Sequence, residues 1–509
     1  MSQLLEKKYL KLQNGSDVRG VALDGIEGEI VNLTPEIVTY IAAAFADFLM
    51  KKTGKPAKEL TISVGHDSRL SADMLKSGVL KGIQLQGCKP INCNLASTPS
   101  MFMSTVLPEL SYDGSIMITA SHLPFNRNGM KFFTKEGGLE SKDIKVLLNR
   151  AIELEEQGIP AAEAQEIESV DLLKHYSANL RKIICQEVDS KEEDLPLSGL
   201  HFVVDASNGA GGFFATQVLE PLGADISGSL YLNPDGTFPN HVPNPENQKA
   251  MDAIKKATIE NHADLGIIFD TDVDRAATVF PSGKEINRNA LIALMAAIVA
   301  QTNPGSTVVT DSVTSDQLQD FLENKLGLVH HRFKRGYRNV INESVRLNNE
   351  GIESCLAIET SGHGALKENY FLDDGAYMSV KILCEVVRCK RANKSIEDML
   401  AGLTEAADDK EVRIGIQLED FKDYGFKVLD DFKAFAEANE LFHIVSPNYE
   451  GVRISFKDEE VNGWMLLRMS LHDPILPMNI ETNEVGGVAI VLERLRPFFA
   501  NYEFLKTGF

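Results

Sequence analysis

Repeated α/β units built around mixed or parallel sheets, with a smaller α+β unit at the end, are the fold class this sequence predicts. Short apolar runs that stop at an Asp-rich or Gly-rich turn recur along the chain. They are Leu60 to Val64 before Gly65-His66-Asp67, Phe202 to Val204 before Asp205-Ala206-Ser207-Asn208-Gly209, Leu265 to Phe269 before Asp270, and Val308-Val309 before Asp311. Each run is followed by a helical pattern, and strands alternating with helices place functional loops at the strand ends. From about Glu411 the elements shorten, with Gly451 to Phe456 and Trp464 to Arg468 reading as strands of an α+β unit.

Taken in order, the segment Thr34 to Met50 carries a threonine cap, a proline at the first helical position and an apolar periodic face that stops before Gly54, which predicts a helix. Acidic stretches of low periodicity near Ala162 to Glu168 and Gln186 to Pro196 divide the chain. Pro281-Ser282-Gly283-Lys284 and Ala406 to Lys410 give two further breaks. Four domains are expected, at residues 1–177, 178–288, 289–405 and 406–509.

A chain of 509 residues exceeds what one core supports. Its hydrophobic fraction of 43% and charged fraction of 24% are those of ordinary globular proteins, which excludes disordered and fibrous classes. The net charge of -22 opposes binding to nucleic acid or anionic membranes, so an anionic substrate requires a locally basic pocket. The first residues lack the long apolar core of a secretory signal, and the longest apolar run, Ala290 to Ala300, is too short to span a bilayer; a cytoplasmic setting is expected. Six cysteines, with no CxxC pair, suggest neither a disulfide framework nor a zinc site, and Cys384 and Cys389 are expected to be buried on one helix.

Four separated segments, with an arginine near the N-terminus beside them, carry the chemistry. Thr119-Ala120-Ser121-His122 puts a hydroxyl where a strand ends, and Asn128-Gly129-Met130-Lys131 follows with an ammonium able to sit beside a phosphoryl group and shuttle a proton. Asp270, Asp272 and Asp274 alternate just beyond an apolar strand, so extended geometry would project all three carboxylates to one side. An all-oxygen donor set suits a hard cation such as Mg²⁺; a calcium hand is excluded because Arg275 and Pro281 stand where glycine and glutamate are needed. Glu359 and Ser361 can bind adjacent sugar hydroxyls while His363 acts as acid or base, with Asp373-Asp374-Gly375 shortly downstream. Arg468 and Ser470, before Pro474, suit a phosphate dianion, and Arg19 in Asp17-Val18-Arg19-Gly20 offers a bidentate phosphate contact.

In this order, and with Phe238-Pro239-Asn240-His241 and Val203-Val204-Asp205-Ala206 between them, these motifs resemble those of the α-D-phosphohexomutase superfamily over nearly the whole chain, most of all its phosphoglucomutase/phosphomannomutase branch. The resemblance implies a heart-shaped enzyme of three related α/β domains and a C-terminal domain like the TATA-box-binding-protein fold, with one loop from each at a central cleft. It implies a phosphoserine at Ser121, with Mg²⁺ held by the serine phosphate, Asp270, Asp272 and Asp274, and Arg275 alongside. Catalytic roles fall to Ser121, His122, Lys131, Arg19 and His363. Substrate contacts fall to Lys334, Arg335, Glu359, Ser361, His363, Arg468 and Ser470. The implied reaction interconverts hexose 1- and 6-phosphates of glucose or mannose through a hexose 1,6-bisphosphate, in a monomer or dimer whose partners are small sugar phosphates. Phosphoglucosamine mutase and a non-catalytic sugar-phosphate-binding homologue are the alternatives. The chain departs from the family pattern at Leu123, Ile358, Tyr337 and Leu471-His472-Asp473.

Overall fold

A computed structural model describes residues 3–159, 163, 165–470 and 473–509. Leu471 and His472 of the expected phosphate loop, and Ala162 of the first acidic divide, lie outside the described residues. The described residues fall into two compact units. One runs up to Asn287 and includes Ser361–Asp398; the other joins Arg288–Thr360 to Met399–Phe509.

The first unit opens on a mixed sheet. Its strands run in the spatial order Gln13–Asn14, Asp17–Val21, Arg127–Thr134, Gly114–Ile118, Thr61–His66, Lys89–Leu95 and Glu168–Ser169. Thr61–His66 pairs in parallel with both Lys89–Leu95 and Gly114–Ile118, so the carboxyl ends of three strands share one edge. The helix predicted from Thr34 is present as Pro35–Thr53: the Thr34 hydroxyl accepts from Ile37 N, and Gly54 closes the helix at φ 71°. Its apolar face packs on helix Ala72–Leu85, where Gly78 and Gly82 allow contact with the backbone of Pro35 and Thr39.

A smaller sheet follows in the order Glu285–Ile286, Ala276–Val279, Leu265–Phe269, Phe202–Asp205, the last two parallel. Leu265–Phe269 was expected to lead into a helix. Instead it turns back into antiparallel Ala276–Val279, with Phe269 opposite Ala276. Pro281-Ser282-Gly283-Lys284 is the next hairpin turn, closed by Phe280 N donating to Lys284 O. Helix Gly375–Arg391 belongs to this unit as well: Lys381 bonds Glu187 at 2.6 Å, and the capping Asp374 accepts from Tyr176 at 2.6 Å. By packing, Ser361–Asp398 fall in the first unit and Arg288–Thr360 in the second.

In the second unit, strands Val329–Arg332, Thr307–Thr310 and Ser354–Ile358 run parallel, with Thr310 opposite both Arg332 and Ile358. The C-terminal part is an antiparallel sheet of six strands ordered Phe442–Ile444, Val452–Lys457, Asn462–Leu467, Ile475–Thr482, Asp408–Ile416, Leu505–Lys506. Helices Phe421–Glu437 and Gly487–Phe499 cover its apolar face, with Phe432, Phe498 and Phe499 in ring contact. All six cysteines are free thiols; Cys384 is buried on helix Gly375–Arg391 as expected, whereas Cys389, nearer its end, is only half-buried. Among the described residues no helix is long and apolar enough to cross a membrane.

Candidate functional site

Ser121 follows strand Gly114–Ile118 and adopts φ 47°, a left-handed conformation that costs a non-glycine residue energy unless its surroundings fix it. Three groups do so. Ser121 N donates to Thr119 Oγ1 at 2.9 Å, and Thr119 Oγ1 in turn donates to Asp67 Oδ2 at 2.7 Å. Arg69, whose side chain is fully buried, donates to the carbonyls of Ser121, Leu123 (2.7 Å), Pro124 (2.8 Å) and Arg127 (3.0 Å). Its Nε lies 3.3 Å from Asp67, which offsets the cost of burying the guanidinium. Burial lowers the Arg69 pKa and raises that of Asp67, each against the opposing charge of the other.

The acidic segment does not continue the strand. Phe269 and Ala276 pair across a hairpin whose turn contains Val273 at φ 68°, an unfavourable conformation for a β-branched residue. The three carboxylates converge because this turn curls them inward, not through the alternation of an extended chain. Glycine is required beside it: a Cβ on Gly209 would lie 2.5 Å from Thr271 O, and one on Gly375 would lie 2.6 Å from the carbonyl carbon of Arg275.

Ser121 and this turn meet. The Ser121 hydroxyl donates to Asp270 Oδ2 at 2.8 Å and accepts from Arg275 Nη2 at 2.7 Å, while Arg275 also reaches Asp270 Oδ2 at 3.1 Å. Lys131, on strand Arg127–Thr134, pairs with Asp274 and lies 3.8 Å from Asp272. His122 accepts from Arg275 through Nδ1, which leaves its proton on Nε2; burial, then the charges of Arg275 and Arg19, push its pKa down to about 3, so the ring is neutral. Arg19 donates to Asp17 at 2.7 Å and to the Thr119 carbonyl. The Ser361-Gly362-His363 loop docks on the same hairpin, with Arg275 bridged to His363 and Ala276 N donating to Gly362 O. His363 Nδ1 lies 2.8 Å from Ser361 Oγ and Nε2 lies 3.7 Å from both Asp274 and Asp373. Burial, then Arg275 and Lys131, hold His363 well below its ordinary pKa.

The donor set fits a hard divalent cation. One carboxylate oxygen from each of Asp270, Asp272 and Asp274 lies within 4.8 Å of the others, and all three side chains are buried. Asp272 Oδ1 and Asp274 Oδ1 are buried without a hydrogen-bond partner. Burial, then the charges of Asp274 and Asp272, drives the Asp270 pKa well above its usual value. Burial opposes ionisation of Asp274 too, but Lys131 and Arg275 outweigh it and hold that carboxyl low. Three acids facing two cations leave a charge that an oxygen-seeking cation would neutralise.

The second unit holds its own cluster at the carboxyl ends of its parallel strands. Asp311 follows Thr307–Thr310, Lys334 and Arg335 follow Val329–Arg332, and Glu359 follows Ser354–Ile358. Glu359 accepts from Gly336 N at 2.6 Å, Asp311 accepts from Thr360 Oγ1 at 2.6 Å, and Arg335 Nε lies 3.8 Å from Asp311. Glu450 accepts from Arg335 N at 3.1 Å and from the Ser312 hydroxyl. Gly451 permits the Glu450 loop to cross Arg468, since a Cβ there would lie 2.8 Å from Arg468 Cα. Arg468 has its pKa lowered, first by burial and then by Arg335, and its Nε is buried without a partner. Ser470 Oγ accepts from Asp473 N at 3.1 Å, and Lys334 is exposed.

Burial, then the charge of Asp311, pushes the Glu359 carboxyl up to about 8 from its ordinary 4.5. The folded state therefore binds the proton more tightly than the unfolded state. The stability this contributes is complete below the unfolded pKa and is lost as pH rises through the folded one. Urea unfolding of wild type and Glu359→Gln is expected to show wild type losing stability relative to the variant between about pH 4.5 and about 8. A difference independent of pH across that window would contradict a neutral Glu359.

Ser121, His122, Lys131, Arg19, Asp270, Asp272, Asp274, Arg275, Ser361 and His363 thus gather in the first unit, and Lys334, Arg335, Glu359, Arg468 and Ser470 lie in the second. Sequence reasoning missed Arg69, Thr98 and Glu450. Asp67-Ser68-Arg69 directly after an apolar strand was the available signal for the first. Ser97-Thr98-Pro99 reads only as a helix start, and nothing local marks Glu450.

Comparison with known proteins places the chain in a family. Models described as phosphoglucomutase/phosphomannomutase alpha/beta/alpha domains I, II and III match residues 11–158, 174–283 and 287–406. A phosphoglucomutase/phosphomannomutase of Thermococcus kodakarensis is 30% identical over 478 residues, 92% of this chain and 93% of that one. A phosphomannomutase/phosphoglucomutase of Pseudomonas aeruginosa is 29% identical over 95% of this chain and 94% of its own. The crystal structure of a phosphoglucomutase/phosphomannomutase family protein from Burkholderia thailandensis superposes with a TM-score of 0.77 at 24% identity, covering 98% of this chain and 99% of that one. With three domain models matched in order and relatives aligned almost end to end, the chain belongs to the phosphoglucomutase/phosphomannomutase family.

Proposed function

We propose that this protein interconverts hexose 1-phosphates and hexose 6-phosphates of glucose and mannose by way of a phosphoryl group carried on Ser121. The observation that carries this reading is the position of Ser121 Oγ, 2.8 Å from Asp270 Oδ2 and 2.7 Å from Arg275 Nη2, at the rim of the buried acidic trio. The Thermococcus and Pseudomonas relatives are named as mutases for these two sugars, which supports the substrate class.

In the forward half-reaction the free hydroxyl of the hexose monophosphate attacks the phosphorus on Ser121. The new sugar O–P bond forms as the serine Oγ–P bond breaks, and the hydroxyl proton passes to a neutral base. His363 is placed for that role on the loop docked against the aspartate turn, with Nδ1 2.8 Å from Ser361 Oγ and a neutral ring. Arg275 and Lys131 offset the charge on the phosphoryl oxygens, and Arg275 steadies the departing Ser121 oxygen. The resulting hexose 1,6-bisphosphate reorients and returns its other phosphate to Ser121, releasing the positional isomer. Asp270, Asp272 and Asp274 would hold Mg²⁺, which when bound supplies Lewis-acid neutralisation of the phosphoryl oxygens. Glu359 and Ser361 bind hydroxyls common to both orientations, while Lys334, Arg335, Arg468 and Ser470 take the phosphate that is not being transferred. Arg468 supports that role through its buried, unpartnered Nε.

Intact-mass measurement before and after glucose 1,6-bisphosphate, alongside a coupled isomerisation assay, tests the reading. One added phosphoryl group that maps to Ser121, with turnover of glucose or mannose 1-phosphate, is the expected result. Sugar-phosphate binding without phosphorylation or turnover would identify a non-catalytic homologue. Preferential turnover of glucosamine phosphate would reassign the substrate.

A further inference from the structure

We infer that Thr98 is a positioning residue for the acidic cation site, its hydroxyl fixing the Asp272 carboxylate so that the free oxygen faces the ion. The inference rests on the cation reading above. Each aspartate of the trio has its Oδ2 held by a donor. Asp270 Oδ2 accepts from Ser121 Oγ and Arg275 Nη2, and Asp274 Oδ2 accepts from Lys131. Asp272 Oδ2 accepts from Thr98 Oγ1 at 2.5 Å, and among the described residues this is the one hydrogen bond that reaches its carboxylate.

Thr98 is built into place. It is buried at the first position of helix Thr98–Val106, behind Ser97, whose side chain caps Ser100 N in a reciprocal capping box. Thr98 N also donates to the Asp272 carbonyl at 2.8 Å, so one residue grips both the backbone and the side chain of the central acid. The other carboxylate oxygen, Asp272 Oδ1, is buried without a hydrogen-bond partner in the trio, which suits it to ligate a cation.

The kind of donor matters. Arg275 and Lys131 orient Asp270 and Asp274 but also cancel part of their charge. The nearest cation to Asp272 is Lys131, at 3.8 Å, and its close donor is a neutral hydroxyl. Thr98 therefore aims Asp272 through a neutral donor, with no cation at hydrogen-bond distance from its carboxylate. Without that hydroxyl, repulsion from Asp270 and Asp274 would turn the carboxylate away and weaken the ion's hold, as loss of an outer partner does in metal sites, by roughly 10-fold.

Calorimetric titration of Mn²⁺ into the full-length, dephosphorylated protein, with Mn²⁺ EPR as a second readout and apo melting in chelator as a folding check, tests this directly. Wild type is expected to bind one ion and Asp272→Asn to lose it. Thr98→Val should bind about 10-fold more weakly with an apo melting profile like that of wild type, and Thr98→Ser should stay within about threefold of wild type. Thr98→Val binding as tightly as wild type while Asp272→Asn does not would overturn the role of Thr98. So would Thr98→Ser binding as weakly as Thr98→Val, because packing of the methyl group would then be the cause. Asp272→Asn binding like wild type would overturn the cation reading itself, and this inference with it. Thr98→Ala replaces the valine variant if the latter does not melt cooperatively.

Discussion

Replacing Ser121 by alanine is expected to lower kcat/KM for hexose-phosphate isomerisation by about six orders of magnitude, because no other group in the cluster would carry the phosphoryl between half-reactions. At about 1.4 kcal/mol per decade this is close to 8 kcal/mol of transition-state stabilisation, far more than any structural effect at this position would supply. The loss should be chemical and not conformational. Arg275 still reaches Asp270 at 3.1 Å when the hydroxyl is gone, and the backbone of residue 121 keeps its bonds from Arg69 and to Thr119 Oγ1. Stability measured by urea unfolding is accordingly expected to fall by no more than about 1.5 kcal/mol. A Ser121→Ala protein that turns over within tenfold of wild type would place the phosphoryl carrier elsewhere.

The largest stability effect is expected at Arg69. Substitution by methionine keeps most of the buried volume but removes donors to four loop carbonyls and leaves Asp67, itself fully buried, facing no cation at 3.3 Å. Stranding a buried charge in this way costs about 3–5 kcal/mol. Chemical denaturation of Arg69→Met should show that loss. The double variant Arg69→Met/Asp67→Asn should recover part of it, because the uncompensated carboxylate is then gone. Equal stability of Arg69→Met and wild type would mean that the guanidinium does not organise the serine loop. The same variant should also lose activity, since the carbonyls it holds include that of Ser121.

How much of the site was legible follows from the range of each signal. Ser121, Lys131, the three aspartates and the Ser361-to-His363 loop were visible because each sits in a short motif with chemistry of its own at a strand end. Alternation along an extended strand was expected, but the chain reverses after Phe269, and the turn through Val273 gathers the carboxylates. Residue spacing carries no information about a reversal that depends on Gly209 and Gly375 leaving room beside that turn.

Arg69 and Thr98 were illegible for a different reason. Asp67 stands beside Arg69 and Ser97 beside Thr98, but the groups that Arg69 and Thr98 position lie 52 and 174 residues away in the chain. By itself the sequence determined the α/β class, the helix capped by Thr34 and closed by Gly54, and the short motifs proposed to carry phosphoryl transfer, because propensity, capping and side-chain chemistry are local properties. Tertiary structure alone decided which oxygens of Asp272 and Asp274 are held and which are left for a ligand, that burial beside Asp311 pushes the Glu359 carboxyl up, and that helix Gly375–Arg391 starts against the aspartate turn. Those outcomes depend on burial and on distances between remote segments, which exist only once the chain has folded.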